Sequence, residues 1–344
     1  MNWFTWRQHR KQFLVFGVLL AAFAALLIPT GIHFWHEYQH ALQNCAQNPA
    51  VYNCSDLDST IFGNQAAGSV RTLVIMGTFG LPLLAGLFIG SPLIAKEYEE
   101  GTNKLVWTQS VSRRRWLTTK LAWALLFALL YGALLAALAT WWSRTINTID
   151  QNRFVQGHFE TQGLMPAAYS VFFTSVGFLT GAWFRKTVLA FAITFGVFVL
   201  CMASFANWIR PHYMTPVTVS SPMGPSFETQ VPNEAWTISR DILDKNGKPI
   251  GDIFPSAPPE CQQIIQQSEV RGNGHGGIRV KAVPSPNGGD PIDDCLNKAG
   301  FHQIAKYQPA YRYWDFQRIE AGIYMGLTAI AICATYWLVL KRDA

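Results

Sequence analysis

Six stretches without a charged residue constrain this chain more than anything else in it: Phe13–Ile32, Thr72–Ala95, Leu121–Trp142, Leu164–Phe184, Thr187–Ile209 and Ala321–Leu340. A helix crosses a hydrocarbon core with roughly 20 residues. Lipid offers the backbone no hydrogen-bond partner, so an apolar run of that length is stable there as a spanning helix. The chain reads as an all-α polytopic membrane protein with six transmembrane helices. Its function is to be sought in transport or membrane-bound chemistry.

Basic residues set the expected orientation. With the N-terminus inside, the inner segments hold Arg7, Arg10, Lys11, Lys96, Lys104, Arg113, Arg114, Arg115, Lys120, Arg185, Lys186, Lys341 and Arg342. The two short outer loops hold Arg71, Arg144 and Arg153. Both termini are then cytosolic, and the net charge of +6 is topogenic. No nucleic-acid-binding pattern accompanies it. The first apolar stretch exceeds a signal-peptide core and lacks a small-x-small cleavage site, so it reads as a retained helix.

This topology puts Cys45, Cys54, Cys261 and Cys295 on the outer side, where disulfides form, and leaves Cys201 and Cys333 inside spans. Four cysteines allow three connectivities. Pairing Cys45 with Cys54 and Cys261 with Cys295 closes the most local loops; four unpaired thiols are the alternative.

The expected organisation is residues 1–209 for the N-terminal segment and spans one to five, 210–320 for an extracellular domain, and 321–344 for span six and a cytosolic tail. Met1–Gln12 mixes aromatic and basic residues and suits a short interfacial helix. Pro82 should kink the second span. Within the cytosolic loop 96–120, the second helix should extend to about Glu100 and break at Gly101. Thr102 would cap a short helix, and Ser112 would cap the third span. Arg185 and Lys186 alone join spans four and five, giving a tight hairpin. The segment from Arg210 to Glu320 is rich in Pro and Gly, with a hairpin signal at Asn246-Gly247. It reads as a loop-rich, disulfide-stapled domain.

No phosphate-binding G-x-x-x-x-G-K-[ST] loop occurs, so ATP is not bound by that route. No Asp, Glu, Lys, Arg or His lies deep within the six stretches, although ion-coupled transporters usually need such a group at depth. Energy for uphill movement would come from another subunit. One motif points elsewhere: His36-Glu37-Tyr38-Gln39-His40 matches H-E-x-x-H. On a helix His36 and His40 share a face, and Glu37 could serve a zinc peptidase as general base. Candidate third ligands (His158, Glu160, His212, His302) fit no recognised pattern, and a polar helix end is the plainer reading.

Three segments carry a resemblance: F-T-W-R-Q-H-R near the N-terminus, E-Y-E-E-G-T…W-T-Q-S-V-S-R-R-R-W-L-x-x-K after the second span, and Y-Q-P-A-x-R-Y-W-x-F-Q-x-I-E before the sixth. Together they resemble bacterial ABC type-2 exporter permeases. The resemblance implies a half-transporter in the bacterial cytoplasmic membrane, surrounded by membrane lipid and paired with a second permease subunit as a homo- or heterodimer. Each copy would dock a separate nucleotide-binding ATPase subunit. The chain itself would carry no cofactor; ATP and Mg would belong to the partner. Glu97–Gln109 would form the coupling segment, with Glu97, Gly101 and Thr102 matching the family pattern, Leu105 and Trp107 on the docking helix, and Arg113 opening the basic follow-up. The apolar lining of the spans suits hydrophobic or amphipathic cargo.

Overall fold

The computed structural model describes residues 2–47, 57–101, 112–149, 152–223, 231–232, 234–250, 257–269 and 291–341. The chain divides into two compact units, one formed by Met1–Tyr213 with Tyr313–Ala344 and one by Met214–Arg312. In the first unit six helical segments are long and apolar enough to cross a membrane.

The first span is α1 (Asn2–Gln47). The expected interfacial helix at Met1–Gln12 is not separate from it: no glycine or proline interrupts the chain there, and the helix runs through. It also continues past Ile32 to Gln47. After the short helix α2 (Leu57–Phe62), span two joins α3 (Gln65–Ala85), a π-helical turn at Gly86–Gly90 and α4 (Ser91–Glu99). Helical geometry continues through Pro82, and the irregular turn begins four residues later. Span three is α5 (Arg113–Trp142), with the Ser112 side chain accepting from the Arg115 amide at 3.4 Å as its N-cap. The short helices α6 (Arg144–Ile149) and α7 (His158–Thr161) lead to span four, α8 (Met165–Phe184). Arg185 turns the chain in the left-handed region at φ 55°, and span five, α9 (Thr187–Ser204), follows at once. It is extended by a π-helical turn at Phe205–Ile209 and a tight turn at Arg210–His212.

Helix α8 is the axis of this unit, packed by α3, α4, α5, α9 and the sixth span, α12 (Tyr313–Lys341). Its sequence explains why: Ser170, Thr174, Gly177 and Gly181 fall at helical spacing, so one face is nearly bare backbone. The π-helical turn of span two lies against that face. A Cβ on Gly177 would stand 2.4 Å from the Gly86 carbonyl oxygen. Phe16, Ile89, Leu93, Ile94, Trp116, Leu117 and Phe178 fill the remaining core.

The second unit is an antiparallel sheet in the order β1 (Val217–Pro222), β4 (His302–Gln308), β2 (Trp236–Leu243), β3 (Pro249–Ile250), with helices α10 (Pro259–Glu269) and α11 (Pro291–Lys298). The expected hairpin is present: Leu243 pairs with Pro249, and Gly247 takes the turn at φ 76°. Cys261 and Cys295 form a disulfide joining α10 and α11. With Met223, Leu296 and Phe301, Cys261 closes a small core. Cys45 is also disulfide-bonded, whereas Cys54 lies outside the described residues. Arg210 and Glu320, read from sequence as the edges of the inserted domain, belong to the helical unit.

Candidate functional site: buried polar clusters at both ends of span five

Thr187 opens α9 and Arg210 follows its end, and a cluster of polar groups surrounds each. At the first, Glu97 on α4 is buried and pairs with Lys120 of α5, itself 3 % exposed. The Lys120 ammonium also stands 4.8 Å from the centre of the Trp116 ring. Two residues along α4, Glu99 accepts from the Thr187 backbone amide at 3.0 Å and from the Thr187 hydroxyl at 2.6 Å. The carboxylate of one span thereby caps the N-terminus of another, where helix amides lack partners. Arg185 lies over the Tyr98 ring at 4.8 Å, and Tyr336 of α12 donates to Thr118 of α5 at 2.8 Å. The ends of spans two, three, five and six and the turn between four and five are thus tied together. Gly101, at φ 68°, ends the clamp.

At the other cluster Arg210 is 2 % exposed, and each of its three guanidinium nitrogens donates to a carboxylate. Its Nε and Nη2 donate to the two Glu320 oxygens at 2.9 and 3.0 Å, and Nη1 donates to Glu160 at 2.6 Å. This bidentate geometry is the strongest form of the carboxylate–guanidinium pair. Glu320 accepts further from Tyr169 and Tyr213, both at 3.2 Å, and Glu160 from the Gly157 amide at 2.7 Å. The Phe159 ring covers the guanidinium at 4.0 Å. Beside it Arg71 bonds Asp58 at 2.9 Å and meets His158 Nε2 at 3.3 Å. Burial, with the Arg71 charge, holds His158 down at about 4, against the pull of Glu160 and Asp58. Burial foremost, and the Glu320 carboxylate, push the Tyr213 phenol well above its ordinary range. Between the clusters, hydroxyls of Ser91, Thr194 and Thr180 form a chain at 3.3 and 3.0 Å across α4, α9 and α8.

Of the residues singled out by sequence, Glu97 and Gly101 sit at the end of span two and Arg113 opens span three. Glu97 is buried and pairs with Lys120 of α5. Thr102, Leu105 and Trp107 lie outside the described residues. His36, Glu37 and His40 are exposed along α1. Among the described residues no three His, Cys, Asp or Glu side chains gather where a metal ion could be held. Sequence reasoning passed over Glu99 and Thr187; it met Lys120 only as a topogenic charge, Arg210 and Glu320 only as the borders of the inserted segment, and Glu160 only as a candidate zinc ligand. Lys120 and Glu320 close two of the segments quoted for the resemblance, which was the available signal. Glu160 and Arg210 look like ordinary charges at span borders.

Six apolar spans, one of them a glycine-faced central helix, with ionised groups buried at the span ends, define a multi-pass helical membrane protein. Residues 17–210 match the family described as "ABC-2 membrane transporter related", and the chain belongs to that family. It is accordingly a membrane permease of the ABC-transporter type, as the sequence resemblance implied. The match ends at Arg210, so the inserted unit and the sixth span stand outside it. No curated protein and no solved structure matches the chain.

Proposed function

We propose that this protein is the membrane-spanning subunit of an ATP-driven exporter that moves a hydrophobic or amphipathic substrate across the bacterial cytoplasmic membrane. In this reading it works as a pair of permease subunits with separate ATPase subunits, which supply ATP and Mg. Residues 102–111 dock the ATPase on the cytosolic side, and Met214–Arg312 is extracellular. The observation that carries the reading is the clamp flanking this docking segment. One end of the segment leaves from Gly101, the other enters α5 at Arg113, and Glu97–Lys120 joins the two helices just beyond. A push on the segment therefore moves spans two and three as one body. The Glu99–Thr187 cap sets the start of span five beside the same clamp. The apolar groove of about 380 Å³ lined by Phe172, Val176, Leu179, Val197, Leu327 and Ile330 supports an apolar cargo.

The test is purification from native membranes in mild detergent, followed by assay of substrate-stimulated ATP hydrolysis. A near-stoichiometric ATPase should accompany the wild type and be lost when Asn103–Thr108 is deleted. Lys120→Met should retain the ATPase but lose most of its stimulation. A permease that purifies alone, or stimulation unchanged in both variants, would sink the reading.

A further inference from the structure

Arg10 and Lys11 stand in an unexpected place. Phe13, one turn further along α1, stacks on Phe127 at 4.3 Å, and Phe16 meets Tyr131 edge-on at 5.5 Å. Phe127 lies about 20 Å along α5 from Arg113, at the helical rise of ~1.5 Å per residue. Gln12 Nε2 donates to the Phe88 carbonyl at 3.2 Å, which puts the same stretch of α1 beside the π-helical turn of span two. The two cations are therefore level with the spans themselves, well away from the basic Arg113–Arg115 end. Their neighbours are apolar and outward-facing: Leu14, Val15 and Val18 on α1, and Leu126 and Leu130 on α5, are between 48 % and 66 % exposed. Both Arg10 and Lys11 are exposed, and among the described residues neither has a carboxylate partner. Between them and α5 runs a groove of about 680 Å³ lined by Arg10, Lys11, Phe13, Leu14 and Phe127.

A cation next to a lipid-facing surface is costly unless an anion meets it, and long basic side chains reach for the headgroup layer. Basic pockets between spans suit anionic headgroups. We propose that this groove binds an anionic phospholipid, its phosphate held by Arg10 and Lys11 and an acyl chain lying along Phe13, Leu14 and Phe127. Charge selects the ligand: two positive groups without a carboxylate partner among the described residues disfavour a zwitterionic lipid, whose headgroup brings its own cation. The aromatic floor selects an attached chain over free phosphate. Because Gln12 ties this stretch to the Phe88 carbonyl, an occupied groove would hold α1 against the irregular turn of span two. The inference requires only that the spans lie in a bilayer; it stands or falls apart from the exporter reading.

The full-length protein is purified in detergent, and retained lipid is counted by native mass spectrometry during titration with phosphatidylglycerol, phosphatidylcholine or inorganic phosphate. Wild type should retain phosphatidylglycerol preferentially and be stabilised by it against heat, with phosphatidylcholine and phosphate giving neither effect. Each basic group near an anionic headgroup contributes on the order of fivefold, so Arg10→Gln/Lys11→Gln should retain it roughly 30-fold less well. Arg114→Gln/Arg115→Gln, at the remote end of α5, serves as the charge-matched control and should keep the preference. Equal retention of the two lipids by wild type, an equal loss in both double variants, or full competition by inorganic phosphate would overturn the proposal.

Discussion

Replacing Arg210 by methionine keeps much of the side chain's volume and removes its charge. Three charge-assisted hydrogen bonds disappear, two to Glu320 and one to Glu160, and two carboxylates 0 % and 3 % exposed are left without their cation. Such bonds contribute about 1.5–3 kcal/mol each. The carboxylates can take up protons in the variant, which limits the loss to about 3–5 kcal/mol, the range for breaking a buried pair from one side. The informative comparison is Arg210→Met/Glu160→Gln/Glu320→Gln. Removing all three charges leaves no isolated carboxylate to desolvate. The triple variant should therefore be more stable than Arg210→Met alone, by roughly 1–2 kcal/mol. The assay is reversible unfolding in mixed micelles titrated with dodecyl sulfate, followed by tryptophan fluorescence. A cost below about 1 kcal/mol for Arg210→Met would mean that the network is not closed. A triple variant weaker than the single one would mean that unpaired charge is not what costs.

Two further outcomes follow from the same geometry. Gly177→Ala places a methyl 2.4 Å from the Gly86 carbonyl oxygen and 2.6 Å from the Ser91 nitrogen, both backbone atoms, and should destabilise the unit by about 1–3 kcal/mol. Gly196→Ala, whose added Cβ meets nothing within 4 Å, should be neutral or slightly stabilising by the same unfolding assay. His158 titrates at about 4 in the folded chain against an ordinary 6.5, so below pH 6.5 the unfolded chain takes the proton first. Its contribution is complete above pH 6.5 and lost as pH falls toward 4, by on the order of 3 kcal/mol in all. His158→Asn should flatten the stability–pH curve between pH 6.5 and 5; an unchanged slope would show that another group controls that window.

The spans were legible because lipid leaves the backbone one solution, and apolar length reports it directly. The hairpin at Asn246-Gly247 was legible because the left-handed turn residue and the flanking pattern are both local. Pairing of β4 with β1 and β2 was not, since nothing in His302–Gln308 names partners some 60 to 90 residues away. The buried ion network escaped for a related reason. A charge just outside an apolar run looks the same whether it faces water or a partner, and only tertiary packing brings Glu160, Arg210 and Glu320 together. Sequence alone also placed the second-span irregularity at Pro82. Its position at Gly86–Gly90 coincides with the glycine face of α8, a neighbour that periodicity does not identify.

The unequal strength of the two clusters bears on how span five can move. At its Arg210 end, two carboxylates and a guanidinium are sealed from water and fully hydrogen-bonded, so opening that end exposes several charges together. At its Thr187 end the link to span two is one exposed carboxylate accepting from an amide and a hydroxyl. Water can replace that link at little cost, since protein–water bonds substitute for those lost. The buried Glu97–Lys120 pair lies between spans two and three and does not hold span five. Along its length α9 has Ala190 and Thr194 as its fully buried residues, the rest being half-buried or exposed. The short Arg185–Lys186 turn keeps the Thr187 end beside span four, so the contact that can give there is the one to span two. Under the exporter reading, the lightly held end lies beside the docking segment, so a displacement there meets the least resistance, while the far end keeps its register with spans four and six.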